Sequence, residues 1–159
     1  AWQQGHSSLE FQVIDIKNNA AINPRILMPR VGKELPLYYG EVMLQNRNGK
    51  RFKIATQNVI PAGIYKVYRK RQKIAAPYKT RVSINGTLVD QIYYNVLIQS
   101  DTQLCAMGKK NYPKSVLYPD EELQLMGETS LSPGKNSIQL SLDDILGVET
   151  PATYIVTVY

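Results

Sequence analysis

Histidine and cysteine are almost missing from this 159-residue sequence, with one of each, His6 and Cys105. A single cysteine excludes an internal disulfide framework and any cysteine-cluster zinc site. Imidazole chemistry would have to rest on His6, in a polar N-terminal lead, and Cys105 reads as a small buried apolar side chain. No glycine-rich phosphate loop occurs. No apolar run approaches the roughly 18–20 residues that cross a bilayer as a helix. Long amphipathic helical patterns, internal repeats and low-complexity linkers are also missing. The adjacent carboxylates Glu121-Glu122 and Asp143-Asp144 would point to opposite faces of a strand and so form no acid/base pair. An active site would need distant residues such as Asp15 and Asp90 to meet in space. The expectation is a protein that is not an enzyme and carries no cofactor or metal.

Acidic residues are missing from one long stretch. None lies between Glu41 and Asp90, and eleven of the nineteen basic residues do. The other eight, with all thirteen acidic ones, lie outside, so a middle of +11 sits between flanks that sum to −5. A chain polarised in this way attracts anionic surfaces on one side. The densest part runs through Lys66, Arg69, Lys70, Arg71, Lys73, Lys79 and Arg81, interleaved with Tyr65, Tyr68 and Tyr78. Cations neutralise a polyanion while tyrosines stack on bases or sugars. Equally, the tract reads as a solvated hairpin whose charges block edge-to-edge aggregation. Its candidate ligands are a sulfated glycan, an anionic lipid, an acidic host protein or nucleic acid.

What is abundant is β-strand material: Tyr, Val, Ile and Thr in short apolar segments bounded by turn residues. Strands are expected over Leu9–Lys17, Leu35–Gln45, Arg51–Ala55, Ile64–Arg69, Arg81–Ile84, Thr87–Val89, Ile92–Gln99, Glu121–Met126 and Ser137–Leu142. In the first, Leu9, Phe11 and Val13 share one face and Ile14 and Ile16 the other, a phase shift that implies a bulge or burial on both faces. On Ile64–Arg69, alternation puts Ile64, Lys66 and Tyr68 opposite Tyr65, Val67 and Arg69. Asn48-Gly49 and Asn85-Gly86 mark hairpins. Asn85-Gly86-Thr87 also fits the N-glycosylation pattern. Arg25–Met28, between Pro24 and Pro29, reads as a short edge segment, Asp101–Tyr112 as a connection, Gly127–Asn136 as a loop, and Asp143–Gly147 as one helical turn. This pattern predicts an all-β, single-domain sandwich, Ig-like or jelly-roll.

Both ends carry strong strand patterns. Ala152-Thr153-Tyr154-Ile155-Val156-Thr157-Val158-Tyr159 is β-branched and aromatic after Pro151, and Leu9-Glu10-Phe11-Gln12-Val13-Ile14-Asp15-Ile16 alternates after a short lead. The opening Ala1-Trp2, without an initiator methionine, gives the expectation of export after signal cleavage. These two segments resemble those of bacterial chaperone–usher fimbrial subunits. The departures are Ala152 and Thr153 where such subunits usually carry glycine before the final tyrosine, a more basic middle, and the lone Cys105.

The resemblance implies an incomplete Ig-like sandwich completed by a donated strand, with residues 1–17 as the donor segment and 18–159 as the domain. Leu9, Phe11, Val13, Ile14 and Ile16 would be donor knobs, and Tyr154, Val156 and Val158 would line the acceptor groove or the core beside it. Implied partners are neighbouring pilus subunits, a periplasmic chaperone, an outer-membrane usher and an anionic host receptor or glycan, with display at the cell surface. The alternative is a self-contained secreted or periplasmic sandwich that binds glycans or anionic partners. A viral or phage structural protein whose basic β-domain meets nucleic acid stands behind it.

Overall fold

Turn chemistry decides where the chain reverses. In the computed structural model, which describes residues 12–159, Asn85 and Gly86 both take positive φ, 50° and 85°. That is the requirement of the two-residue turn the Asn-Gly pair predicts. At the other Asn-Gly site, Gly49 has φ 81° and the Asn46 side chain accepts from the Asn48 and Lys50 amides at 3.0 and 2.9 Å. A third reversal, at Asp101 with φ 54°, lies in what the sequence reads as a connection.

Thirteen strands form among the described residues: β1 Val13–Asp15, β2 Ala20–Ile22, β3 Val42–Asn46, β4 Arg51–Lys53, β5 Val59–Ile60, β6 Gly63–Lys70, β7 Lys79–Ile84, β8 Thr87–Ser100, β9 Gln103–Met107, β10 Asn111–Pro113, β11 Leu123–Leu131, β12 Gly134–Asp143 and β13 Glu149–Val158. One helical turn, α1 Lys114–Leu117, and a 3-10 turn at Pro24–Ile26 complete them. A four-stranded sheet has the order β11-β6-β3-β4. The larger sheet holds nine strands. In it the long β8 pairs with β7 and β2 in succession along one edge and with β9 along the other. From β7 the sheet runs on through β12 and β13 to β5, and from β2 to β1. The all-β sandwich expected from the sequence is the architecture observed.

The main core lies between the sheets: Leu44, Phe52 and Val67 from the small sheet meet Val82, Ile138, Leu142 and Val156 from the large one. A second cluster, around Tyr68, Ile92, Tyr112, Leu117 and Leu125, forms where β8, β9, β10 and α1 curl around β11. At about 25 cal/mol per Å² of apolar surface removed from water, truncating a fully buried side chain such as Leu44 costs about 2–5 kcal/mol.

Several boundaries differ from the sequence reading. The strand expected from Leu35 starts only at Val42, because Pro36 lacks an amide donor and Gly40 turns the chain at φ 60°. The expected connection Asp101–Tyr112 contains β9 and β10. The loop expected at Gly127–Asn136 is mostly strand, since a bulge at Met126 breaks the alternation while β11 continues to Leu131. Asp143–Gly147 is a tight turn, not a helical one: the Asp144 carboxylate accepts from the Leu146 and Val148 amides at 2.8 and 2.9 Å, and Gly147 has φ 81°. The segment Arg25–Met28 begins in the 3-10 turn, which the Asn23 side chain caps through the Arg25 amide. Of the first expected strand, Val13–Asp15 is the part that pairs among the described residues. Ile16 and Lys17 belong to a turn in which Asp15 accepts from the Lys17 and Asn18 amides. Leu9, Phe11 and His6 lie outside the described residues.

Candidate functional site

The basic tract does not form one patch. Alternation along β6 sends Tyr65 and Val67 into the core and carries Arg69 inward with them, so Arg69 is buried. This corrects the expectation that Arg69 contributes to a charged surface. Lys66 stands on the opposite face of β6, where the register places it between Gln45 and Glu128. Lys70 is exposed at the end of the strand.

Lys79 and Arg81 lie on the large sheet and are engaged with acids. Lys79 bonds Asp143 at 3.0 Å, and Arg81 bonds Asp143 at 3.2 Å and also Glu149. Burial works against ionisation of Asp143, but bonds from Ser141, Lys79 and Arg81 outweigh it and hold the carboxyl below its usual range. This neutralised group ties β7 to β12 and to the start of β13. Arg71 and Lys73, on the loop after β6, stay exposed beside a cleft that also receives Arg69.

The carboxylates are structural. Asp90 is buried and saturated: Oδ1 accepts from the Gln91 and Lys109 amides at 2.8 and 2.7 Å, and Oδ2 from the Glu128 amide at 2.8 Å and the Tyr112 hydroxyl at 2.5 Å. A carboxylate committed to four donors is poorly placed to serve as a general base. Asp15, the other carboxylate of that pair, ends β1 and accepts from the amides of the exposed β1–β2 turn. Among the described residues no three His, Cys, Asp or Glu side chains gather as a metal site. Cys105 is buried in β9. The Asn85 amide nitrogen of the glycosylation-like turn donates to Asn136 at 3.3 Å, and the Asn85 side-chain oxygen accepts from the Ser137 amide at 2.8 Å.

The sheet edges differ sharply. On β11, the edge turned away from β6 is sealed by side chains: Thr80 donates to the Met126 carbonyl at 2.8 Å, Tyr94 to the Leu125 carbonyl at 2.6 Å, and the Glu128 amide to Asp90. Sequence reasoning missed this seal, because it joins residues more than thirty positions apart through side chain-to-backbone bonds.

On β13, pairing with β12 runs the full ten residues, Glu149 to Val158. On its other side only Thr157 and Val158 pair, with the short parallel β5. The Thr157 and Tyr159 amides donate to Asn58 and Ile60 on that side, so alternation turns Thr153 and Ile155 the same way. Among the described residues these two have no backbone partner there. Pro151 shares their orientation, where its missing N–H interrupts no ladder. Tyr154, Val156 and Val158 point inward, the two valines fully within the main core and Tyr154 packed against it. Val13 and Ile14 lie on β1, an edge strand of the same sheet, and Ile14 and Ile16 are 61% and 85% exposed.

No helix of the described residues is long and apolar enough to cross a membrane. No curated protein and no solved structure matches the chain. A family model matches residues 36–159, which takes in the whole small sheet and every strand of the large one except β1 and β2. The chain belongs to that family, which is uncharacterised.

Proposed function

We propose that this protein is an assembly subunit that polymerises by strand addition. The segment Leu9–Ile16 of one copy lies along the outer edge of β13, from Pro151 to Ile155, in the next. The observation that carries the reading is the β13 edge: a ten-residue strand whose outer backbone groups are paired by described residues only at its last positions. An unpaired strand edge is a template for another strand, with main-chain bonds giving affinity and alternate side chains giving register. The occupant is a second copy because the chain carries its own alternating segment, which continues into the edge strand β1 and the exposed Ile14 and Ile16. A contact between two different surfaces of one molecule is heterologous and extends into fibres where the rotation does not close.

In this reading the fimbrial resemblance takes a different form from the incomplete sandwich it implies. Because Val156 and Val158 are already covered, the added strand would extend the sheet rather than replace a missing core layer. A chaperone that guards the edge before assembly, an usher, and display on the cell surface belong to the same reading. The buried valines also favour the second reading, a self-contained binding sandwich.

A peptide spanning Ser7–Lys17, added to the full chain, separates the two. Saturable elevation of the thermal unfolding midpoint, absent with a scrambled peptide, is the expected result. No shift at millimolar peptide would favour the self-contained module.

A further inference from the structure

Arg69 is a buried cation without a counter-charge. It is 1% exposed, and its guanidinium is held by neutral oxygens alone. Nε donates to Gln124 Oε1 at 3.0 Å, and one terminal nitrogen to the carbonyls of Tyr38 at 2.9 Å and Lys70 at 3.4 Å and to Gln72 Oε1 at 3.5 Å. Its situation contrasts with that of Asp143, which holds two cations. An unpaired buried charge is costly, and here the cost is not relieved within the fold.

Gln124, which orients Arg69, is 2% exposed, and its amide nitrogen has no hydrogen-bond partner. Both Arg69 and Gln124 line a cleft of about 280 Å³ together with Arg71, Lys73 and Tyr118. The Arg71 guanidinium stacks over the Tyr118 ring at 4.6 Å. Burial raises the Tyr118 pKa, so its hydroxyl keeps its proton. The lining includes no acidic residue, and Arg25, which also lines it, is already engaged by Glu34 at 2.7 Å.

The cleft therefore presents three cations with no acidic partner, an unpaired amide N–H and a protonated hydroxyl, which is a set of donors; Arg71 also donates to the Glu121 carbonyl at 3.5 Å. Donors alone select a fully ionised acceptor, and three cations favour two negative charges over one. We infer that the cleft of Arg69, Arg71, Lys73 and Gln124 binds a phosphate monoester, its oxygens taking the Gln124 amide and the Arg69 and Arg71 guanidinium groups. The site is independent of the β13 edge and of strand addition.

Thermal midpoints of the full chain in inorganic phosphate, sulfate and acetate at matched ionic strength test the site. At about pH 8, where both are dianions, phosphate and sulfate are expected to stabilise saturably and comparably, and far more than acetate. Gln124→Glu places a carboxylate beside Arg69. It should raise the midpoint in phosphate-free buffer and abolish the phosphate response. The double variant Arg71→Gln, Lys73→Gln changes two exposed loop positions and should weaken phosphate binding by about tenfold or more. It decides the matter if Gln124→Glu does not fold. Equal responses to the three anions, or an undiminished phosphate response in the double variant, would overturn the assignment.

Discussion

The β11 and β13 edges solve the same problem in opposite ways. Each is the flank of a long strand that would otherwise present unpaired backbone. The β11 flank is closed from within by Thr80, Tyr94 and Asp90, which reach across from β7 and β8. Among the described residues the β13 flank is met only at its end, by two residues of β5. Buried backbone groups must be satisfied, so the seal on β11 is a folding requirement. On the β13 edge the Pro151, Thr153 and Ile155 side has no backbone partner among the described residues. One edge is finished inside the chain; under the proposed assembly the other is completed by a second copy.

The largest break in this contrast is Asp90→Ala. It would strip three amides and the Tyr112 hydroxyl of their acceptor, and should destabilise the fold by about 3–5 kcal/mol in urea unfolding. A loss below about 1 kcal/mol would mean that water replaces the carboxylate and that the seal is incidental.

Next comes Gly127→Ala. A Cβ there would sit 2.8 Å from Val82 Cγ2 and 3.2 Å from Asp90 Oδ2, so the bulge could not hold its place beneath the carboxylate. The expected cost is about 1–3 kcal/mol. The same substitution at Gly49, where nothing lies within 4 Å, serves as the comparison: its cost comes only from the positive φ.

A smaller effect belongs to the side of the sheet that carries the open edge. Asp143 has a pKa lowered in the folded state, so it binds protons less readily there than in the unfolded chain. Its contribution is therefore complete above the unfolded value near 3.9 and is lost as pH falls through the lowered native value. Urea midpoints followed from neutral pH down to about pH 2.5 should show that acid-side decline, and Asp143→Asn should flatten it. An identical pH profile in the variant would remove Asp143 from the account.

The sequence made the architecture legible where the local signal was strong. Asn85-Gly86 specified its turn, and alternation specified the inward Val156 and Val158. Alternation also carried the burial of Arg69, since it shares a face with Tyr65 and Val67, but the charge of the residue suggested a surface. The bulge at Met126 hid half of β11, because the five successive buried residues Leu123–Gly127 break a period-2 pattern. Gly108 and Gly127 gave no local signal: a Cβ at Gly108 would meet Tyr112 at 2.8 Å and Asp90 at 3.1 Å, and one at Gly127 would meet Val82 at 2.8 Å and Asp90 at 3.0 Å. The basic tract showed its cations but not their fates. Whether Lys79 and Arg81 are neutralised depends on Asp143 and Glu149, about sixty residues further along the chain.

The central claim is that the β13 edge is where copies join. Ile155→Pro tests it most directly, because the Ile155 amide faces the open side and its removal leaves the β12 ladder intact. Sedimentation velocity of the wild-type chain over a wide concentration range should reveal growing oligomers. The variant should keep its unfolding midpoint within a degree or two and remain monomeric. A wild type that stays monomeric throughout, or a variant that associates as strongly as the wild type, would contradict the account.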